Sequence, residues 1–279
     1  LDGLVGELRL NHPDIAIVFA WRFAKFLPKW LGPARRIVEY AELASEMWHY
    51  KHANHIIVRE FSTFYVLVSL VIAYPLRRKL VLLTAHNIQK AQHSRLQRNI
   101  LLRINALGVR FAALESDAGI RNILGIRTGI VIAHPINGKL ARPTRSRTAN
   151  TTVGIVGELR AEKGLGSTLN AVDAAIKSIA GARLVIGSPQ VAKTRSMYPH
   201  ICVEDTRTHD SYVALLQRVD ILVLTYPRAS YEYRASGVIA DAMRLGVAIV
   251  TTDLPQLRLQ VLSPFAGGIV LSQEAPLRA

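Results

Sequence analysis

Short apolar runs recur along the chain and alternate with longer amphipathic stretches, a pattern typical of parallel α/β proteins. In the first half these runs predict five strands, at residues 14–20, 55–59, 80–84, 111–114 and 129–133. Helices are predicted between them, at residues 41–50, from residue 61, over residues 89–110 and at residues 118–124. Residues 21–36 mix aromatic and basic side chains with Pro28, Gly32 and Pro33, which predicts an irregular excursion.

The second half repeats the alternation more regularly. It predicts strands at residues 153–156, 183–186, 221–225 and 247–251, and helices from residue 165, at 209–219 and at 238–245. Strand and helix alternating in this way predict a doubly wound sheet. The polar, basic stretch 137–150 has linker composition. We therefore expect domains at residues 1–140 and 151–279, joined by residues 141–150.

Two stretches of the second domain have the chemistry of anion sites. Ser236 and Gly237 form a small turn at the mouth of a predicted helix, where free backbone N–H groups and the helix dipole favour a negative group. Arg160 and Lys163 follow Gly157 at the end of a predicted strand, and two such cations can close on one diphosphate. By spacing alone, a pair of solvated loop charges explains them equally well.

The order strand-G-x-x-R-x-x-K-G-helix, then ARLVIGSPQ, VDILVLTYPR and SGVIADAMRLGVAIVTTD, resembles the donor-binding half of retaining glycosyltransferases of family 4. The resemblance implies an α/β GT-B fold, in which two Rossmann-like doubly wound domains face each other across a cleft. It also implies a donor-binding set around the diphosphate, the distal phosphate or sugar, and the ribose: Gly157, Arg160, Lys163, Gly187, Tyr226, Tyr233, Ser236, Gly237 and Asp241.

The first domain carries the matching acceptor-side motifs. His86 and Asn87 follow the predicted strand at residues 80–84, and His134 with Pro135 follows the one at residues 129–133. The resemblance implies that His86 reaches the transferred sugar, so that His86, Arg160 and Lys163 form the catalytic set. The chain departs from the family pattern at Tyr233, which stands where most members carry the first of two glutamates.

The reaction implied is transfer of a hexose from a nucleoside diphosphate sugar to a hydroxyl of a glycan or lipid-linked glycan, with retention. No cofactor and no metal are expected, since no HxxH, HExxH or clustered Asp motif occurs. Two alternatives stay open. One is a sugar-nucleotide epimerase or phosphorylase on the same fold, and the other is a degenerate glycosyltransferase-like binding subunit.

The uneven distribution of charge along the chain indicates an anionic partner. Residues 1–150 contain 22 Lys and Arg against 9 Asp and Glu, whereas the rest contains 13 against 11. An anionic membrane surface or a phosphorylated acceptor is compatible with that asymmetry. Nucleic acid is not expected, since no nucleic-acid-binding motif is present. A single cysteine is compatible with a reducing compartment, so we expect a cytoplasmic protein, peripheral on the inner face of the cell membrane where glycans are assembled.

The length of 279 residues suffices for two domains, but family members are longer. The resemblance therefore implies a fragment, with part of the first domain missing before Leu1 and the closing helices missing after Ala279.

Overall fold

The computed structural model describes residues 15–19, 32–59, 62–84, 87–128, 130–134, 150–157, 163–263 and 267–272. The chain divides into two compact units, residues 1–133 and 134–279. Except for Asn150, the predicted linker at residues 141–150 lies outside the described residues.

A parallel sheet forms the centre of the first unit. Its described strands are β1 (Ile15–Phe19), β2 (His55–Arg59), β3 (Leu80–Leu83), β4 (Arg110–Leu114) and β5 (Val131–Ile132). They lie side by side in chain order, with Ile56 opposite Leu80 and Leu82 opposite Phe111. The five predicted strands are thus confirmed within one or two residues at most ends.

The connecting helices of the first unit form one layer, because right-handed crossovers between strands in chain order all pass over the same face. The described helices are α1 (Gly32–His49), α2 (Thr63–Ile72), α3 (Asn87–His93), α4 (Arg95–Ala106) and α5 (Ala118–Leu124), and a 3-10 helix spans Tyr74–Lys79. Helix α1 packs on α2, α2 on α4, and α4 on α5. Between this layer and the sheet lie buried side chains such as Met47, Leu70, Leu82, Leu101 and Phe111.

Two helix predictions in this unit are wrong in extent. Helix α1 begins at Gly32, inside the stretch predicted to be irregular, because Pro33 stands in the first turn, where a missing backbone N–H costs no hydrogen bond. The single helix predicted over residues 89–110 is two helices. The break falls at Ser94, whose hydroxyl accepts from the Gln97 amide at 3.3 Å and caps α4.

The second unit also has a parallel sheet, but with a reversal in its order. Its described strands are β6 (Thr151–Val156), β7 (Ala182–Ser188), β8 (Cys202–Asp205), β9 (Ile221–Leu224), β10 (Ala248–Thr252) and β11 (Gly268–Leu271). They lie in the order β8-β7-β6-β9-β10-β11, so the chain winds outward in both directions from the β6–β9 pair. This is the doubly wound order, and its ligand crevice lies at the carboxyl ends of β6 and β9.

Helices of the second unit are α6 (Leu165–Lys177), α7 (Val191–Met197), α8 (His209–Arg218), α9 (Arg228–Tyr231), α10 (Gly237–Arg244) and α11 (Pro255–Leu262). The starts predicted for α6 and α8 are confirmed, and Leu215 and Leu216 on α8 are buried. The strand predicted at residues 183–186 is longer, since β7 includes Gly187 and Ser188. Cys202, the first residue of β8, is exposed.

Asp220 ties the amino ends of the central strands together. Its carboxylate accepts from the Thr152 amide at 2.8 Å, its own amide donates to the Thr152 carbonyl at 2.8 Å, and its carbonyl accepts from Ala248 at 3.0 Å. Next to it, Val219 is fully buried against β6. A Cβ on Gly154 would lie 2.6 Å from Val219 Cγ2, so β6 approaches this side chain as closely as glycine alone permits.

Gly154→Ala should therefore destabilise the second unit. The added methyl group overpacks a site closed by Val219, which costs about 1–3 kcal/mol in the free energy of unfolding. Urea unfolding followed by circular dichroism measures this. The matched control is Gly166→Ala on α6, where the nearest atom to the added Cβ is the Tyr198 hydroxyl at 3.5 Å. This variant should be neutral or more stable by up to about 1 kcal/mol, and equal losses in both variants would contradict the packing argument.

Candidate functional site

The crevice of the second unit begins where β6 ends. Gly157 continues β6 by donating its amide to the Gly187 carbonyl at 2.9 Å, then turns away with φ of 133°. That backbone conformation favours glycine. The chain returns at Lys163 and Gly164 and enters α6 at Leu165. The strand and the helix start predicted on either side of this loop are confirmed.

The loop before α6 is held against the loop after β9. Gly164 has φ of 63°, and a Cβ on it would lie 3.0 Å from Pro227 Cγ. One turn into α6, the hydroxyl of buried Thr168 contacts the hydroxyl of Thr225, the residue that follows β9. The two sides of the switch point are thus in direct contact, which fixes where Lys163 enters the crevice.

The Lys163 ammonium lies over Gly157. A Cβ on Gly157 would be 3.4 Å from Lys163 Nζ, which is van der Waals contact distance, so the half-buried lysine lies across the end of β6. A positive charge is thereby fixed at the carboxyl edge of the sheet, where the doubly wound fold presents ligands.

The second anion-binding feature, the start of α10, is held rigidly by side chains. Ser236 caps the helix by accepting from the Ile239 amide at 3.4 Å. Gln260 on α11 pairs with the Ser236 backbone, accepting from its amide at 2.8 Å and donating to its carbonyl at 3.1 Å. Both residues are buried. The turn before α10 is therefore preorganised, with the Gly237 end of the helix dipole at the crevice.

An aromatic stack supports the same turn. The rings of Tyr226 and Tyr231 are parallel with centroids 4.0 Å apart, and the Tyr226 hydroxyl lies 3.2 Å from Ser236 Oγ. The backbone of Tyr226 is held by the Thr252 hydroxyl, which accepts from its amide at 2.7 Å and donates to its carbonyl at 2.9 Å. Burial raises the pKa of Tyr226 well above its usual range, so its hydroxyl stays neutral and can donate a hydrogen bond.

Arg234 completes the stack with a cation. Its guanidinium carbon lies 4.4 Å from the Tyr231 ring centroid, and its Nη1 donates to the Ser230 carbonyl at 3.2 Å. Within the described part of the chain, its buried Nε has no hydrogen-bond partner. A guanidinium edge of this kind, two residues before the helix cap, is suited to a carboxylate or phosphate oxygen. Arg228, in contrast, is exposed and lies 3.8 Å from Glu232.

Asp241 lies on α10 and is already engaged by α8. The Tyr212 hydroxyl donates to Asp241 Oδ2 at 2.9 Å. Burial, and then the adjacent Asp241 charge, raise the pKa of Tyr212 well above its usual range. Because the tyrosine stays protonated, it orients the carboxylate rather than competing with it for a proton.

The other predicted site residues fall into three groups. His86 and Arg160 lie outside the described residues. Asn87 is buried at the start of α3, and Tyr233 is half-buried between α9 and α10. His134, predicted on the acceptor side, opens the second unit beside α10, since a Cβ on Gly237 would lie 3.3 Å from its Cε1.

Gly187 has a packing role that its predicted place in the donor site did not anticipate. A Cβ there would lie 2.4 Å from Leu215 Cδ2 and 2.9 Å from Thr206 Cγ2. Glycine is thus required at the end of β7 by the packing of α8, whatever binds at the crevice.

Three supporting residues were not predicted from the sequence: Gln260, Tyr231 and Thr252. Gln260 follows Leu257 on the buried side of α11, and a polar residue at an inward helical position is the one signal that could have singled it out. Among the described residues, no three His, Cys, Asp or Glu side chains lie together as a metal site requires. Within the same ranges, no helix is both long and apolar enough to cross a membrane.

Comparison with known proteins gives a family match for the second unit. Residues 150–275 match the family model described as glycosyl transferases group 1. No curated protein sequence matches the chain.

Several crystal structures are similar to most of the chain, including parts of both units. Anabaena Alr3699/HepE in complex with UDP is similar at a TM-score of 0.57 and 13% identity, over 84% of this chain and 68% of that one. TarM gives a TM-score of 0.59 at 12% identity, over 83% and 48%. A glycosyltransferase from Rickettsia africae ESF-5 gives 0.58 at 10%, over 88% and 69%. At such identities the likeness establishes the fold, which is GT-B with two Rossmann-like α/β domains.

Truncating Gln260 should loosen the turn before α10. Gln260→Ala leaves the buried Ser236 amide without its partner, whereas the Ser236 carbonyl still accepts from the Ala240 amide at 3.2 Å. One such unpaired group costs about 1–3 kcal/mol, so we expect the free energy of unfolding to fall by about that amount in urea titration. Arg258→Ala on the same helix is the control, because its ion pair with Asp253 is exposed and exposed pairs contribute little to stability. Similar losses of stability in both variants would contradict the role of Gln260 in holding the turn before α10.

Alkaline stability should depend on Tyr212 and Tyr226. Their folded pKa values are raised, so the stability they contribute is complete below the unfolded tyrosine pKa of about 10 and is lost as pH rises beyond it. Above about pH 10, ionisation of each tyrosine in the unfolded chain should lower the free energy of unfolding by about 1.4 kcal/mol per pH unit. Tyr212→Phe and Tyr226→Phe should each flatten the decline between neutral and strongly alkaline pH in urea titrations, whereas Tyr74→Phe, at an exposed position, should leave its slope unchanged.

Proposed function

We propose that the second unit binds the diphosphate of a nucleotide sugar at the carboxyl edge of its sheet, and that the protein transfers the sugar to a hydroxyl acceptor. The observation that carries this is the Lys163 ammonium folded over Gly157 at the switch point of a doubly wound sheet. The group 1 glycosyl transferase match over residues 150–275 supports the same assignment. Because the HepE structure is in complex with UDP, a uridine nucleotide is the first donor to test.

Each group at the crevice has a role in this proposal. Lys163, together with Arg160 from the loop between Gly157 and Lys163, neutralises the diphosphate. The Gly237 end of α10, held by Ser236 and Gln260, receives the distal phosphate or the sugar. Asp241, oriented by Tyr212, accepts from the ribose hydroxyls with its carboxylate. Apart from these crevice groups, the resemblance assigns His86 and Asn87 of the first unit, and His134, to the acceptor.

The chemistry needs charge stabilisation above all. Negative charge builds on the departing diphosphate in the transition state, and fixed cations and helix N–H groups stabilise it with little reorganisation. In a reaction that retains configuration, the acceptor approaches on the face from which the diphosphate leaves. The leaving phosphate then takes the acceptor's proton, so no protein nucleophile, metal or cofactor is invoked. A glycan or lipid-linked glycan on the inner membrane face is the proposed acceptor.

A second candidate function is a glycosyltransferase-like subunit that binds the donor without turnover. Tyr233 stands where the resembled family carries its first glutamate, and Asp241 already accepts from Tyr212. Both features reduce the carboxylate oxygens available to a sugar. Release of UDP from UDP-glucose separates the two candidates, because the binding subunit would bind UDP and release none from the sugar nucleotide.

Calorimetric titration with UDP, GDP and ADP tests the donor site. We expect saturable binding of one nucleotide, weakened about 10- to 150-fold by Lys163→Ala, because a hydrogen bond to a charged group contributes about 1.5–3 kcal/mol. Lys193→Ala, which removes an exposed lysine of α7, should leave the affinity unchanged. Equal affinities in the two variants would overturn the role of Lys163.

A further inference from the structure

Helix α2 has an apolar surface on the side where a helix on a sheet is normally polar. Its sequence, TFYVLVSLVI, contains no charged residue. Thr63, Val66, Ser69 and Leu70 are buried and define the inward side. A helix that is apolar on all sides is typical of a buried position, yet α2 lies in the outer layer of the first unit.

The outward side of α2 is formed by Phe64, Val68, Val71 and Ile72. At 100° per residue, these four lie within an arc of roughly 100° on the side opposite the buried residues. Phe64 is 52%, Val71 79% and Ile72 61% exposed. These exposed fractions show that several neighbouring apolar side chains are exposed together. A single exposed apolar side chain is ordinary, whereas a contiguous apolar helix face marks an interaction surface.

Aromatic and basic residues border this face at the carboxyl end of α2. Tyr74 is 46% exposed and carries the Arg77 guanidinium 4.0 Å from its ring centroid. Arg78 and Lys79 follow in the same 3-10 helix. Lys51 is the fourth cation near this end of α2. Its backbone carbonyl accepts a hydrogen bond from Lys79 Nζ at 2.7 Å.

Helix α1 brings a second aromatic residue to the same end. Helices α1 and α2 run parallel, because both cross over between parallel neighbours of one sheet. Trp48, near the end of α1, is 47% exposed, and Lys51 Nζ lies 5.9 Å from its ring centroid. Amphipathic aromatic rings and long cationic side chains around an apolar helix face suit the interface of an anionic bilayer.

We propose that the outward side of α2, with Trp48, Tyr74 and the cations Lys51, Arg77, Arg78 and Lys79, docks the protein on an anionic phospholipid surface. Helix α2 lies in the plane of the interface, with Phe64, Val68, Val71 and Ile72 among the acyl chains. The cations lie at the headgroup phosphates. Charge complementarity selects this partner, since the four cations Lys51, Arg77, Arg78 and Lys79 border the apolar face. The inference does not depend on the proposed donor site.

Vesicle co-sedimentation of the whole chain tests the proposal. The protein should bind vesicles of mixed phosphatidylglycerol and phosphatidylcholine, and should be released at 1 M salt, where the Debye length is about 3 Å. It should bind vesicles of phosphatidylcholine alone much more weakly. Equal binding to both vesicle types, or binding to neither, would overturn the proposal.

Matched variants test the surface itself. Val71→Ser with Ile72→Ser should lower the partition coefficient at least about tenfold through lost apolar burial. Arg77→Gln with Arg78→Gln should lower it about 30-fold, since each cation contributes about 1 kcal/mol. The controls are Ile179→Ser with Met197→Ser, which are exposed apolar residues of the second unit, and Lys177→Gln with Lys193→Gln. Neither control pair should change binding.

Two further readouts keep the outcomes distinct. UDP affinity in solution should be the same for the α2 variants and the parent chain. If the parent chain binds none of UDP, GDP and ADP, the proposed donor site is wrong, but the test of lipid docking is unaffected. Sedimentation velocity without vesicles identifies the competing occupant. A dimer that Val71→Ser with Ile72→Ser dissociates would assign the face to a second copy of the chain and overturn docking on lipid.

Discussion

The short pairing of β6 with β9 is the contact on which the second unit's site depends. Two residue pairs join these strands, Val153 with Ile221 and Gly154 with Leu222. Asp220 reinforces them by hydrogen bonding to Thr152 on one side and Ala248 on the other. With the amino ends tied together, strand length decides where the carboxyl ends emerge. Val156 and Leu224 consequently end side by side, and the loops that follow them meet at Thr168 and Thr225.

This arrangement explains why the crevice is lined by small residues and firmly held polar groups. Gly164 and Gly157 let Pro227 and Lys163 approach the backbone, and neither position tolerates a Cβ without displacement or a strained φ. On the far side, Gln260 and Tyr226 fix Ser236 through buried hydrogen bonds. A site that stabilises developing charge gains from such rigidity, because its dipoles need little reorientation during the reaction.

The sequence allowed the doubly wound sheet and the starts of α6 and α10 to be predicted, but not the side chains that hold the crevice. Strands and the α6 and α10 starts follow from apolar runs, glycines and the Ser236 cap, which are local signals. The contacts of Gln260 with Ser236 and of Tyr212 with Asp241 join residues 24 and 29 positions apart, and no local pattern encodes them. Gly187, predicted in the donor site, also has a packing role that no local pattern indicates, because a Cβ there would meet Leu215 and Thr206.

The two units use charge in different ways, and this difference separates the two proposed surfaces. In the second unit, the described ion pairs Arg207–Asp205, Arg218–Glu204, Arg258–Asp253 and Lys177–Asp173 join neighbouring opposite charges. The field at its crevice is therefore local, set by a few groups such as Lys163 and the α10 terminus. The first unit, residues 1–133, carries 18 basic against 9 acidic residues, an excess that acts over a Debye length of about 8 Å. A field of that reach suits an extended anionic surface better than a single diphosphate, which is why the apolar face of α2 and the crevice of the second unit call for different ligands.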